Sequence, residues 1–268
     1  MGELKILLSV LGSLYLLLLL SLFFWQERFI FQPKPLDSGY VYEFGAPFEE
    51  AWIPVGETVS LNGLFFPATA PRKGSILYLH GNRGNLSRWG QVYDTFLPHG
   101  YDVLVFDYRG YGKSSGKPTE AGLYADADAA MQWLLQRCPA GEIVIYGRSL
   151  GSGIAAYLAS RYAARLLVLE TPYDEMPNVI RAKVPAPLPD ALFRHRFPTI
   201  DFLASAKCPV HIFAGTQDKL IPIRLSERLI PLLSSPTCFY AIEGGGHRNL
   251  RAFAEYQFRL GLLLGPVE

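Results

Sequence analysis

Gly147-Arg-Ser-Leu-Gly151 fits the pattern G-x-S-x-G. It follows an apolar run, Glu142–Tyr146, that reads as a strand, and it precedes an amphipathic stretch that reads as a helix. A serine at such a junction sits in a sharp turn, and flanking glycines let strand and helix approach closely. Its hydroxyl is a useful nucleophile only when a base takes its proton. Among the histidines, His247 has the fitting context: Gly244-Gly-Gly-His-Arg-Asn249 follows the last apolar run and can present an imidazole over the end of a sheet. His80 ends a strand and reads as a local hydrogen-bond partner. His99 and His195 read as surface or insertion residues, and His211 as a core residue. The acid that fixes the imidazole tautomer is expected at Asp218, on the loop after Val210–Phe213. Glu170 and Asp174 also follow a strand and are rivals for that role, Glu170 reading equally as a buried structural carboxylate. The developing oxyanion needs two amide donors. Leu150, next after the serine, should supply one, and Asn82 in His80-Gly-Asn-Arg-Gly-Asn85 the other.

These groups lie far apart in the chain, so a scaffold must bring them together. Continuous apolar runs at 75–80, 102–107, 142–146, 166–169, 210–213 and 238–242 read as strands buried on both faces. Amphipathic stretches at 86–97, 119–136, 151–162, 222–233 and 249–264 read as helices between them. That alternation predicts an α/β fold, a mostly parallel sheet with helices on both faces. Segments 51–55 and 58–66 read as antiparallel leading strands. The stretch 172–202 holds six prolines, Pro172, Pro177, Pro185, Pro187, Pro189 and Pro198, so it predicts an insertion over the sheet edge rather than one long helix.

Four motifs resemble those of the α/β-hydrolase superfamily: His80-Gly-Asn82, Asp107-Tyr-Arg-Gly-Tyr-Gly-Lys-Ser-Ser-Gly116, Gly147-Arg-Ser-Leu-Gly151, and Gly215-x-x-Asp218 with Gly-Gly-His247. The similarity covers about residues 38–265. An apolar amino terminus followed by Phe-Gln-Pro resembles a membrane-anchored branch of serine hydrolases related to serine aminopeptidases and protein depalmitoylases. The resemblance implies the α/β-hydrolase fold and an acyl hydrolase that uses no cofactor and no metal. The chain lacks the amino-terminal cysteine cluster that animal depalmitoylases of this type carry, so the resemblance leaves the substrate open.

Residues Ile6–Trp25 carry no charge. About 20 such residues in a helix span a hydrocarbon core of about 30 Å. A signal peptide has a shorter apolar region and a small-residue cleavage site, whereas this run ends in Phe23-Phe24-Trp25-Gln26. An uncleaved single-pass anchor at 1–30 and a hydrolase domain at 31–268 are therefore expected, joined by a stiff connector, Phe31-Gln-Pro-Lys-Pro35. The flanking charges, Lys5 and the terminal amine against Arg28 and Lys34, leave the side of the membrane open. Lys plus Arg is 25 and Asp plus Glu is 24, so no basic excess supports nucleic-acid binding. Cys138, Cys208 and Cys238 are scattered, which argues against a zinc site or a disulfide framework.

The expected reaction is hydrolysis of an ester or thioester of a small or lipid-like acyl substrate through Ser149, His247 and Asp218. A serine aminopeptidase is the second reading and would need a carboxylate pair, such as Glu170 and Glu175, to hold a free amine. A non-catalytic tethered binding module is the third. The sequence does not settle the oligomeric state.

Overall fold

Strands buried on both faces need apolar side chains at successive positions, because alternate residues point to opposite sides. Four runs meet that demand, with every residue buried: β3 Gly74–Leu79, β4 Tyr101–Phe106, β5 Ile143–Arg148 and β6 Leu166–Glu170. They form the middle of a sheet that also contains β1 Glu49–Val55, β2 Val59–Phe66, β7 Val210–Gly215 and β8 Phe239–Ile242. The order is β1-β2-β4-β3-β5-β6-β7-β8. β2 runs antiparallel to both β1 and β4, and the remaining pairs are parallel. The computed structural model describes residues 2–69 and 71–265.

Each face of the sheet has its own core. Leu77, Leu79, Ile145 and Leu169 pack with Leu123, Met131, Ile154 and Leu158. These last four lie on α2 Glu120–Leu135 and α3 Leu150–Arg161. Ile76, Tyr78, Tyr146 and Val168 pack on the other side with Phe96, Tyr256 and Leu260. Full burial of such a side chain contributes on the order of 1.5–3 kcal/mol. Thr119 caps α2, its side chain accepting from the Gly122 amide.

Register fixes where the strand ends fall. Leu79 is opposite Gly147, Arg148 opposite Glu170, Glu170 opposite Phe213, and Gly215 opposite Ile242. The carboxyl ends of β3, β5, β7 and β8 therefore share one edge, and the loops holding Asn82, Ser149, Asp218 and His247 all leave from it.

Some helices are shorter than the sequence suggests. The stretch 86–97 is a succession of short α and 3-10 turns, Leu86–Trp89, Gly90–Val92, Tyr93–Phe96 and Leu97–His99. The stretch 222–233 holds helix at Ile223–Glu227 and a 3-10 turn at Ile230–Leu232, where Pro231 cannot supply the amide a continuing helix needs. The last helix begins only at Ala254 and runs to Leu264. The proline-rich insertion contains Met176–Arg181, Asp190–Leu192 and Thr199–Leu203 as short turns of helix.

The amino-terminal helix α1, Gly2–Ile30, is longer than its uncharged run. Its connector is extended as expected, yet it is not free. Gln32–Pro33 pairs with Arg83–Gly84, and Pro35 bridges to Gly112.

Beneath the shared edge lies a buried carboxylate, Glu170. Arg148 Nε lies 3.1 Å and Arg251 Nη2 3.5 Å from its two oxygens. The Tyr146 hydroxyl donates to it at 2.6 Å and that of Tyr256 at 3.3 Å. Burial works to raise the Glu170 pKa, but Arg148, Arg251 and the two hydroxyls outweigh it and hold the group below its ordinary value. Removing one member of such a buried cluster leaves uncompensated charge. Glu170→Ala should therefore lower stability by about 3–5 kcal/mol in denaturant titration. Because the folded-state pKa is depressed, the ion-pair contribution is complete above the ordinary glutamate range, about pH 4.3, and is lost as pH falls through the lower folded value. The difference in Tm between the unsubstituted chain and Glu170→Gln should accordingly shrink in melts taken from about pH 7 down to about pH 3.

Candidate active site

Ser149 joins β5 to α3 with φ 53° and ψ −119°, a left-handed turn that a residue with a Cβ enters only at a cost of about 1–3 kcal/mol. Surrounding backbone holds it there. The Ser149 amide donates to the Glu170 carbonyl at 2.9 Å, and its own carbonyl accepts from the Ser152 amide at 2.9 Å and hydroxyl at 2.6 Å. The flanking glycines are required by space. A Cβ at Gly151 would lie 2.1 Å from the Leu79 carbonyl oxygen, and one at Gly147 would lie 2.5 Å from that of Gly151.

His247 Nε2 is 3.0 Å from Ser149 Oγ. His247 Nδ1 is 2.8 Å from Asp218 Oδ2. The other carboxylate oxygen of Asp218 accepts from the amides of Leu220 and Ile221, each at 2.8 Å. Both Ser149 and Asp218 are buried, each 8% exposed. The three side chains selected from sequence thus form one hydrogen-bonded line, with the carboxylate fixed at its far end. The rivals lie elsewhere. Glu170 belongs to the arginine cluster, and Asp174 pairs with Arg228 at 2.7 Å. Glu175 pairs with Arg196 at 2.7 Å. Neither Glu170 nor Glu175 borders the cavity above Ser149.

Asn82 and Leu150 line that cavity together with Ser149 and His247. Leu150 opens α3, so its amide is among those a helix leaves without an internal partner. The Asn82 loop is held through its carbonyl, which accepts from the Gln32 amide and the Tyr111 hydroxyl, each at 2.9 Å. The segment 107–116 is the buttress behind this loop. Besides Tyr111, Tyr108 donates to the His80 carbonyl at 2.9 Å, and Asp107 Oδ2 accepts from the Leu86 amide at 3.0 Å. Burial raises the Asp107 pKa, against an opposing pull from His80, whose Nε2 lies 3.4 Å away.

Of the other histidines, His80 bonds locally to the Gly81 carbonyl through Nδ1 at 2.7 Å. His211 Nδ1 meets the Tyr240 hydroxyl at 2.9 Å, and desolvation lowers its pKa. His99 is partly exposed, with Nδ1 3.0 Å from the Gly265 carbonyl. His195 does belong to the insertion, but it is buried, facing Glu27 of α1 at 3.4 Å and the ring of Phe31.

Two contributors were not evident from the sequence. Arg148, the variable position before the serine, donates to the His247 carbonyl at 3.2 Å, and its guanidinium lies over Trp89. It links the strand that ends at Ser149 to the loop carrying the His247 imidazole. The end of α1 is the second: Leu22, Gln26, Phe29 and Ile30 border the cavity. Their spacing of three to four residues marks one helix face, and a polar Gln26 within that face is the signal that was available.

The comparisons with known proteins agree with this fold. Residues 74–186 match the family model described as alpha/beta hydrolase fold. An uncharacterized protein of Mycobacterium tuberculosis is 34% identical over 242 residues, covering 85% of this chain and 83% of its own. Human alpha/beta hydrolase domain-containing protein 17B is 32% identical over 205 residues, covering 74% of this chain and 68% of its own. Among solved structures, an esterase of Pyrococcus furiosus superposes with a TM-score of 0.68 at 20% identity, over 88% of this chain and 96% of that one. The fold, the matched segment and these relatives together make this chain a member of the α/β-hydrolase family.

Proposed function

We propose that the chain is a membrane-anchored serine hydrolase of carboxylic esters or thioesters. The observation that carries this reading is the unbroken line from Asp218 through His247 to Ser149. Ser149 Oγ attacks the acyl carbonyl while His247 Nε2 takes its proton. The amides of Asn82 and Leu150 receive the oxyanion. The tetrahedral intermediate collapses, and the protonated imidazole returns its proton to the departing alcohol or thiol. Water, deprotonated by His247, then attacks the acyl-enzyme, and Ser149 leaves with the proton as the free acid is released. Asp218 keeps Nδ1 protonated and stabilises the transient imidazolium.

The amide reading is weaker. Its carboxylate pair would be Glu170 and Glu175, but each is paired with an arginine and neither borders the cavity. A purely binding role gives no reason for a strained serine aligned with a histidine and a carboxylate.

We read residues 1–30 as an anchor and 31–268 as the hydrolase domain. The length and apolar surface of α1 support the anchor, with Leu4, Ile6, Leu17 and Phe24 each more than half exposed. Its packing supports retention over cleavage, because Gln26 and Ile30 are each only 3% exposed against the rest of the chain.

Ser149→Ala should abolish labelling by a fluorophosphonate probe and reduce acyl-ester turnover by several orders of magnitude. Undiminished turnover in that variant would overturn the assignment. Asp218→Asn should preserve the fold but lower kcat by about 10⁴-fold, because the amide favours the wrong imidazole tautomer. Steady-state kinetics on a short-chain nitrophenyl ester checks this. A larger rate on a proline-first peptide amide than on the ester would favour the aminopeptidase reading.

A further inference from the structure

The cavity above Ser149 measures about 580 Å³ and has three walls. The strand-end loops supply one, with Gly81, Asn82 and His247. The insertion supplies the second, with Met176, Val179, Ile180, Leu192 and Phe193. The third is the carboxyl-terminal part of α1, through Leu22, Gln26, Phe29 and Ile30.

The third wall is docked at both ends. Next to the serine, the Gln32 amide bonds the Asn82 carbonyl. Farther out, Gln26 is buried and its side-chain amide is fully engaged with protein. Nε2 donates to the carbonyls of Leu192 and Phe23, each at 3.1 Å, and Oε1 accepts from the Arg194 amide at 2.9 Å. Glu27 adds Arg194 at 3.2 Å. The Tyr15 hydroxyl donates to the Pro187 carbonyl at 2.7 Å, so the insertion follows the helix for several turns. Leu19, Leu22 and Phe23 pack on Leu188, Leu192 and Phe193. A helix whose sole task is to tether a domain needs none of these contacts.

We propose that α1 is also part of the substrate site, with Leu22 as the distal wall that sets the length of acyl chain accepted and Gln26 as the residue that positions the insertion to close that wall. The acyl group of the substrate is the occupant, its carbonyl at Ser149 and its tail running along α1 away from Asn82. Ile30 lies near the loop end and Leu22 eight positions earlier, which places Leu22 on the order of 12 Å farther along the axis. A short acyl group stops before Leu22, and a long one reaches it. The inference rests on the serine-hydrolase reading and specifies which residues select its substrate.

The test uses the full-length chain in mixed micelles and a series of nitrophenyl esters from butyryl to palmitoyl. The readout is the ratio of kcat/KM for palmitoyl over butyryl. Leu22→Trp should lower that ratio about tenfold, and Leu22→Ala should raise it and move the optimum to longer chains. Gln26→Leu should lower the ratio through KM for the palmitoyl ester, with kcat little changed. Leu20→Trp, on the opposite and exposed face of the same helix, should leave the ratio where it was. If Leu22→Trp does not fold, Leu22→Ala carries the test alone. Equal ratios for the Leu22 variants, Leu20→Trp and the unsubstituted chain would overturn the inference while leaving the hydrolase reading in place. No Ser149-dependent turnover in the unsubstituted chain would instead remove that reading, and the wall assignment with it.

Discussion

The left-handed backbone of Ser149 is the constraint around which the rest is arranged. A residue with a side chain stays there only where its neighbours over-determine it. The Ser149 amide is claimed by β6, its carbonyl by Ser152, and the space on either side is so small that only glycine fits at 147 and 151. The outcome is a hydroxyl raised from the end of β5 directly into reach of an imidazole delivered from beyond β8. Placing a serine on an ordinary helical turn would bring its Oγ back toward its own helix and away from His247.

Strain at Ser149 orients its hydroxyl but does not by itself hold the imidazole of His247. That task falls to the charged layer under the edge. Arg148 is adjacent to the serine, pairs with Glu170 on the neighbouring strand and donates to the carbonyl of His247. Glu170 also receives Arg251, which follows the His247 loop. One buried carboxylate therefore couples the strand ending at Ser149 to the loop carrying His247 and to Arg251 just beyond it. Such a cluster costs desolvation energy and contributes modest stability at best. Its value here is geometric, since a shift of the His247 loop would have to break it.

Much of this was legible in the sequence because it is written locally. Apolar runs of strand length, alternating with amphipathic helical stretches, indicated a mostly parallel sheet. G-x-S-x-G in strand-to-helix context named Ser149, and chain order with loop position named Asp218 and His247. What escaped depends on contacts between distant segments. Helices at 86–97 and 222–233 have adequate periodicity, but 86–97 divides into short turns without any proline, and Pro231 interrupts 222–233. His195 read as a surface or insertion residue; it lies in the insertion, but nothing in its own neighbourhood indicates that Glu27 and Phe31 cover it. Gln26 sits 166 positions from Leu192. No periodicity connects them, and a polar residue at the end of an apolar run reads as a boundary when it is in fact a clamp.

That clamp changes what the amino-terminal helix does. A domain on a free linker samples many orientations relative to the helix that precedes it. Here the connector pairs with the Asn82 loop and the helix carries the insertion, so the cavity keeps one orientation to the helix axis. Exposed Leu20, Phe24 and Trp25 lie on the outer side of the same turns whose inner side borders the cavity. One turn of helix thus separates an apolar outer surface from an apolar interior. On the membrane-anchored acyl-hydrolase reading proposed above, an acyl chain passing from bilayer to cavity would exchange one apolar surrounding for another, avoiding the large cost of exposing it to water. The three prolines at 185, 187 and 189 suit this location. Each removes an amide hydrogen, so this exposed stretch of the insertion runs beside the helix with fewer backbone donors to satisfy.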